Sequence, residues 1–270
     1  MSLLSHDRFV AVLGGSAVGL SRQGGNGKGR DWLGSVSFIG ERFPSWPLAI
    51  DTLERMLREH VRGRAELCVL LSSHYCRFCL VPWSEQIVAP SELQEYARFC
   101  FEEVYGQSEE SWSLCISPEA AGQPRLAAGL PEELLGALRA LATNLGVRLG
   151  SVQPYLMTAF NRFARSMPQK DYLFVVAEPA RSTLLLSTDN RWGAVRSLGV
   201  ADSDEALGEL IARECELRAD EEGAVALPVY LHAPGRVDDT PQLADVEVLS
   251  LELPHPGVRD VLYSMAMAVN

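Results

Sequence analysis

The chain has no stretch of the roughly 18 consecutive apolar residues that a membrane-spanning helix requires, so no segment is expected to cross a bilayer. Its beginning, MSLLSHDRFVAVLGG, lacks a basic region ahead of the apolar stretch, and Asp7 and Arg8 interrupt it, which argues against a secretory signal. Cationic charge is also short. With 24 Lys and Arg against 35 Asp and Glu, the net charge is −11, and nucleic acid, whose binding depends on cations displacing counterions, is not an expected partner. Arg55, Arg58 and Arg62 fall on one helical face with Arg64 beside them; such a face is ordinarily solvated, the alternative being an anionic partner or a lipid headgroup. The 22 glycines and 15 prolines among 270 residues are too few for a disordered or fibrous chain, and 47% hydrophobic residues suit one large domain or two small ones.

Metal and catalytic signatures are equally sparse. Of His6, His60, His74, His232 and His255, none has the i, i+4 partner of a helical metal pair, and none neighbours a G-x-S-x-G turn. Ser72–Ser73–His74 brings hydroxyls and an imidazole together in sequence, but adjacent strand residues diverge, so a polar turn is expected there. Cys68, Cys76, Cys79, Cys100, Cys115 and Cys215 read as free thiols. Cys76 and Cys79 form a C-x-x-C pattern, yet residues three apart on a strand point to opposite faces, and no second pair with zinc spacing accompanies them. The glycine-rich Gly24–Gly29 departs from a phosphate-binding P-loop, with Arg22 where its first glycine belongs and Gly29 where Ser or Thr belongs. A hairpin loop is expected instead. Glu109–Glu110 and Asp220–Glu222 read as solvated acids. Trp46, Trp83, Trp112 and Trp192 are candidate partner contacts because aromatic anchors dominate interface energetics; Trp83, behind Pro82 at a strand end, is the one expected to be half exposed.

What is present is a repeated scheme. Arg8–Leu13, Ala17–Arg22 and Trp32–Ile39 read as three hairpin-linked strands, followed by a helix from Ser45–Pro47 to about Arg62. Strands over Leu67–Ser72 and Tyr75–Val81 precede a helix capped by Ser91 and running to Tyr105, with Leu93, Tyr96, Ala97, Cys100 and Val104 inward. Strands at Trp112–Ile116 and Leu126–Gly129, a helix over Pro131–Leu145 closed by Gly146, a strand at Leu149–Val152 and a helix over Pro154–Ser166 complete the first part. After a polar boundary at Met167–Asp171 the meander recurs over Tyr172–Ala177, Ser182–Thr188 and Arg191–Leu198. A helix over Ser203–Arg218, strands over Ala226–His232 and Val246–Leu251, and a tail helix within Gly257–Asn270 follow. The expected organisation is α/β, in two lobes of residues 1–167 and 168–270, the second shortened.

Two β-meanders each leading into α/β units resemble the actin-like (ribonuclease-H-like) superfamily. CVLLSSHYCRFCLVPWSE (Cys68–Glu85) and GVRLGSVQPYLMTAFNRFARSM (Gly146–Met167) are similar to the branch containing PilM and the cytoplasmic part of GspL, scaffolds of type IV pilus and type II secretion machines. The resemblance implies a cytoplasmic adaptor peripheral to the inner membrane. Its expected partner is a bitopic inner-membrane protein whose extended peptide docks in a groove of the first lobe by strand addition or apolar pockets; Trp83 is a candidate contact. GspL-like relatives continue into a membrane helix, whereas this chain stops at Asn270, which favours the separate, PilM-like arrangement.

Active members of the superfamily hold ATP between two hairpins, each bearing an Asp near a glycine-rich turn, with the acids organising Mg²⁺. The resemblance places the corresponding nucleotide residues at Gly14, Gly15 and Ser16 in the first hairpin and at Glu178, Ser182 and Thr183 in the second. The first hairpin has no acid within Ala11–Leu13. In the second, Glu178 is a methylene longer than Asp, Pro179 removes an N–H donor and Ala180 replaces the close-approach glycine. A non-hydrolysing scaffold without ATP or Mg²⁺ is therefore the leading expectation, and an actin-like ATPase or small-molecule kinase with rearranged acids is the alternative.

Overall fold

A computed structural model describes residues 7–23, 29–107, 111–199, 203–219, 227–236, 243, 247–253 and 257–269. The loop read at Gly24–Gly29 (except Gly29), His6, His255, Glu109–Glu110 and Asp220–Glu222 lie outside them, as do Ala226 and Val246.

Three sheets carry the chain. The first joins β1 (Asp7–Leu13), β2 (Ala17–Gln23), β3 (Arg30–Ser37), β4 (Ala65–Leu71) and, after the small second sheet, β8 (Arg148–Pro154), in the order β3-β2-β1-β4-β8. The hairpins are antiparallel, whereas β4 runs parallel to β1 and to β8. Parallel neighbours require crossovers; α1 (Trp46–His60) supplies one between β3 and β4. Buried on both faces, β1 and β4 read as nearly unbroken apolar runs.

Between β4 and β8 the chain builds the second sheet from β5 (Arg77–Val81), β6 (Trp112–Ile116) and β7 (Arg125–Pro131), ordered β5-β7-β6. The helix α2 (Pro90–Tyr105) covers it over a core of Cys79, Val81, Ala97, Cys100, Phe101 and Ala127. The strand expected at Leu126–Gly129 is thus longer and central. Val104, expected inward, is exposed. Ser91 is not the cap either: the helix begins at Pro90, and the Glu92 carboxylate takes the Val88 and Ala89 N–H groups at 3.0 Å each. Cys76, which precedes β5 instead of lying within it, and Cys79 fall into different cores.

The helix α3 (Glu132–Leu145) ends at Gly146, whose φ of 64° is left-handed. From β8 the chain passes through α4 (Tyr155–Phe163) and a short 3₁₀ turn, Ala164–Ser166, into the third sheet. That sheet contains β9 (Tyr172–Glu178), β10 (Arg181–Thr188), β11 (Arg191–Leu198), β12 (Val229–His232) and β13 (Val248–Ser250), ordered β11-β10-β9-β12-β13. Its crossover helix α5 (Asp204–Ala219) packs Leu207, Leu210 and Ile211 on the sheet. The two five-stranded sheets share one strand order and one pattern of directions.

The tail helix is confined to α6 (Val261–Ala266), capped by Asp260, which accepts from the Leu262 N–H at 2.8 Å. It packs on β1, β2 and β3 of the first sheet rather than on the sheet it follows. The Arg30 guanidinium donates to the carbonyls of Ala266 and Val269. Among the described residues no helix is long and apolar enough to cross a membrane.

Candidate functional site

The two hairpin turns with the expected nucleotide residues face each other across one loop. Gly14, Gly15 and Ser16 join β1 to β2, and Pro179–Ala180 joins β9 to β10. Between them runs Ser72–Tyr75, the turn that leaves β4. Because β4 lies beside β1, this turn is tied first to its own lobe: the Ser72 N–H donates to the Leu13 carbonyl at 3.0 Å, and the Tyr75 hydroxyl donates to the Gly14 carbonyl at 2.9 Å.

The same turn also reaches the third sheet. Glu178, 1% exposed, accepts the Ser73 N–H at 3.0 Å. His74 bonds the Pro179 carbonyl through Nε2 at 2.9 Å, and its Nδ1 lies 3.4 Å from the Arg181 Nε. A carbonyl can only accept, so Nε2 carries the proton and the neutral imidazole accepts from Arg181. Burial, opposed only by the Pro179 bond, lowers the His74 pKa, and the Arg181 and Arg77 charges lower it further. Burial raises the Glu178 pKa against the pull of Ser72, Ser73 and Arg181.

Gly15 is crowded on the side where a side chain would stand. A Cβ added there would meet the Phe43 ring at 2.8 Å and the His74 ring at 2.9 Å, and the two rings pack edge to face at 4.9 Å. The Gly14 N–H already donates to the Ala17 carbonyl. Ser16 is exposed, its carbonyl taken by the Phe38 N–H at 2.9 Å. Ser182 and Thr183 are buried; the Thr183 hydroxyl donates to Ser197 at 3.1 Å, while the Ser182 hydroxyl has no protein partner. Ala180 keeps a left-handed φ of 59° without being glycine. Glycine adopts that conformation at less cost than alanine does.

Deeper in the same seam, His232 of β12 joins the third sheet to α4. Its Nδ1–H donates to the Leu251 carbonyl at 2.7 Å, and its Nε2 accepts from the Tyr155 hydroxyl of α4 at 2.6 Å. Burial lowers its pKa to about 4. Sequence reading did not single out His232 or Tyr155 for this role, because they are far apart in sequence and belong to no motif. Among the described residues no group of three His, Cys, Asp or Glu is placed to hold a metal.

Trp83 stands elsewhere, 39% exposed on the rim of a groove of about 230 Å³ lined by Pro82, Ile87, Val88, Pro90, Leu93 and Arg125. Val88 is 85% exposed beside it. The other tryptophans are structural: Trp46 packs on the main core, Trp112 on the core beneath α2, and Trp192 donates from Nε1 to Glu119 at 2.8 Å. The arginine face of α1 is solvated, with Arg58 paired to Glu54 and Arg62 covering the helix-end carbonyls of Arg58 and Val61.

No protein-family model matches the chain, and no curated protein matches its sequence. Solved structures do match. A Bacteroides thetaiotaomicron protein with an actin-like ATPase fold and unknown function superposes with a TM-score of 0.59 at 10% identity, covering 87% of this chain and 84% of that one. The cytoplasmic domain of EpsL, an inner-membrane component of the type II secretion system of Vibrio cholerae, gives 0.57 at 12% identity, covering 98% and 96%. A PilM–PilN type IV pilus biogenesis complex gives 0.53 at 17% identity, covering 85% and 82%. At these identities the likeness establishes architecture, and that architecture is the doubled sheet order described above: the chain has the actin-like ATPase fold.

Proposed function

We propose that the chain is a non-hydrolysing scaffold of a type IV pilus or type II secretion-like assembly, seated at the cytoplasmic face of the inner membrane by a bitopic partner. The observation that carries the non-catalytic half is the Ser72–Tyr75 turn. It hydrogen-bonds both hairpins where an actin-like ATPase would admit a triphosphate. The residues present do not fit Mg²⁺-bound ATP. The first hairpin offers no carboxylate, Glu178 is spent on a backbone N–H, and Gly15 is covered by Phe43 and His74. Mg²⁺ demands near-octahedral oxygen ligands, and a buried carboxyl held toward its neutral form is a poor one.

Support for the adaptor half comes from the fold shared with the EpsL domain and PilM, together with the Trp83 groove. An extended peptide would lay apolar side chains against Trp83, Ile87 and Val88 and be held by the usual combination of pocket filling and backbone pairing. Calorimetric titration with ATP·Mg²⁺ tests the first half: no heat of binding is expected, and micromolar binding with turnover would instead establish the ATPase or kinase reading. Titration with the N-terminal peptide of a co-encoded bitopic protein tests the second. Weakening by at least tenfold is expected in Trp83→Ala if this groove is the dock, as for an aromatic anchor.

A further inference from the structure

Each sheet ends in two edge strands, whose unpaired backbone groups invite another chain unless charge, irregularity, shortness or cover prevents it. The strand β3 carries Arg30 and Asp31 and shifts register against β2; β8 carries Arg148 and shifts against β4; β11 carries Arg191 and Arg196 and shifts against β10. The strand β13 is three residues long, and β5 lies against β11. None of these defences protects β6. Its residues Trp112–Ile116 include no charge and no proline, its register with β7 is unbroken, and β7 is its one strand neighbour among the described residues.

The hydrogen bonds to β7 fix which backbone groups of β6 are free. The Glu132 N–H donates to the Ser111 carbonyl and the Ser117 N–H to the Leu126 carbonyl, at 2.8 Å each, and Ser113 and Cys115 fall between them in the same register. Backbone direction alternates along a strand, so Trp112, Leu114 and Ile116 turn their N–H and C=O groups away from β7. Their side chains pack on the core beneath α2. There Phe101, Trp112 and Leu114 wall a groove of about 490 Å³ that Arg98, Glu102 and Glu132 also line. We propose that β6 pairs with β6 of a second copy of this chain, antiparallel about a two-fold axis at Leu114, joining two three-stranded sheets into one. Leu114 then faces itself, and Trp112 of each copy faces Ile116 of the other, each pair exchanging both N–H···O bonds. Charge favours a second copy over a foreign peptide. An uncharged strand lets two chains of net charge −11 meet without opposing acids, and Arg98 beside Glu102 supplies both signs for a two-fold axis to exchange. The surface uses neither the seam nor the Trp83 groove and does not depend on the scaffold reading.

The test is sedimentation equilibrium of the whole chain over a range of concentrations. Strands of five residues suit a reversible dimer and not a permanent one, so a concentration-dependent shift from monomer to dimer mass is expected. Leu114→Pro removes an N–H that β7 does not use and should weaken association about tenfold or more, the effect of losing a pair of backbone hydrogen bonds. Should that variant misfold, disulfide trapping carries the test. In the proposed register Ser113 of one copy stands opposite the exposed Cys115 of the other. That position is not hydrogen-bonded, and Cα atoms there approach to about 4.5 Å, within disulfide range. Ser113→Cys should therefore form a covalent dimer under mild oxidation, and Ser113→Cys combined with Cys115→Ser should not. A monomer at every concentration would overturn the pairing and leave the edge to an extended peptide of another protein. A dimer indifferent to a folded Leu114→Pro, no cross-link in Ser113→Cys, or a cross-link that survives Cys115→Ser would each overturn it too.

Discussion

The first and third sheets are two versions of one design. Both run meander, crossover helix and parallel strands in the same spatial order, and both meanders shift register beside a tryptophan: Trp32 pairs with Ser21 and Trp192 with Ser187. They differ in what is added. The first sheet has long parallel strands β4 and β8, a second sheet inserted between them, and α6 laid on its meander. The third has four- and three-residue strands β12 and β13 and one described crossover helix. Burial on two faces makes a sheet self-sufficient, so the leaner copy leans on its neighbour. The contacts across the seam, through Glu178, His74 and His232, are that dependence in residue terms.

The asymmetry can be broken most strongly at α6. Leu262 lies over Gly14 and Gly19, where an added Cβ would strike it at 2.9 and 2.7 Å. Leu262→Ala should cost about 2–5 kcal/mol in chemical denaturation, an effect without counterpart in the third sheet, where no described helix covers the meander in this way. A loss under 1 kcal/mol would mean that α6 is dispensable.

The seam should then show in the pH dependence. His232 has its pKa near 4 when folded against about 6.5 when unfolded, so protons favour the unfolded chain. Its contribution is whole above pH 6.5, falls as the pH drops towards 4, and totals about 3 kcal/mol. His74 shifts the same way. Glu178, shifted up, works in the opposite sense, losing stability as pH rises through its folded pKa. Urea midpoints measured from pH 8 to 4 should fall, and His232→Gln should flatten the lower part of that profile. A parallel profile in the variant would remove His232 from the account.

Smaller effects sharpen the comparison of the two turns. Gly15→Ala must displace Phe43 or His74 and should destabilise by about 1–3 kcal/mol, the usual cost of overpacking. Ala180→Gly should act the other way. It removes the penalty of a side chain at a φ of 59°, offset by glycine's greater freedom when unfolded, for a net gain of at most about 1 kcal/mol. Thermal midpoints of both variants decide the matter: a stabilised Gly15→Ala would mean the first turn is open.

Much of this was legible locally. The strands of both meanders, α1, α3 and the Gly146 stop follow from apolar periodicity and turn chemistry, and the Asp189–Asn190 turn has both φ values positive, at 50° and 59°, as a tight hairpin requires. The α2 start does not follow from Ser91, because the capping carboxylate comes from Glu92 and acts backwards on the chain. Val104 is exposed despite its helical spacing, because apolar residues also occupy surfaces and periodicity does not say which stripe finds a partner. The destination of α6 was not readable at all: its apolar face would fit either sheet.

The sequence by itself determined the doubled meander, the absence of an acid within Ala11–Leu13, and the residues Glu178, Pro179 and Ala180 at the second turn. Only the tertiary structure decided that Ser72–Tyr75 would lie between the hairpins and that His232 would meet Tyr155. The reason is range. Turn residues and alternation act within a few positions, whereas the seam joins residues about a hundred positions apart, whose meeting is set by how two sheets pack and not by any local preference.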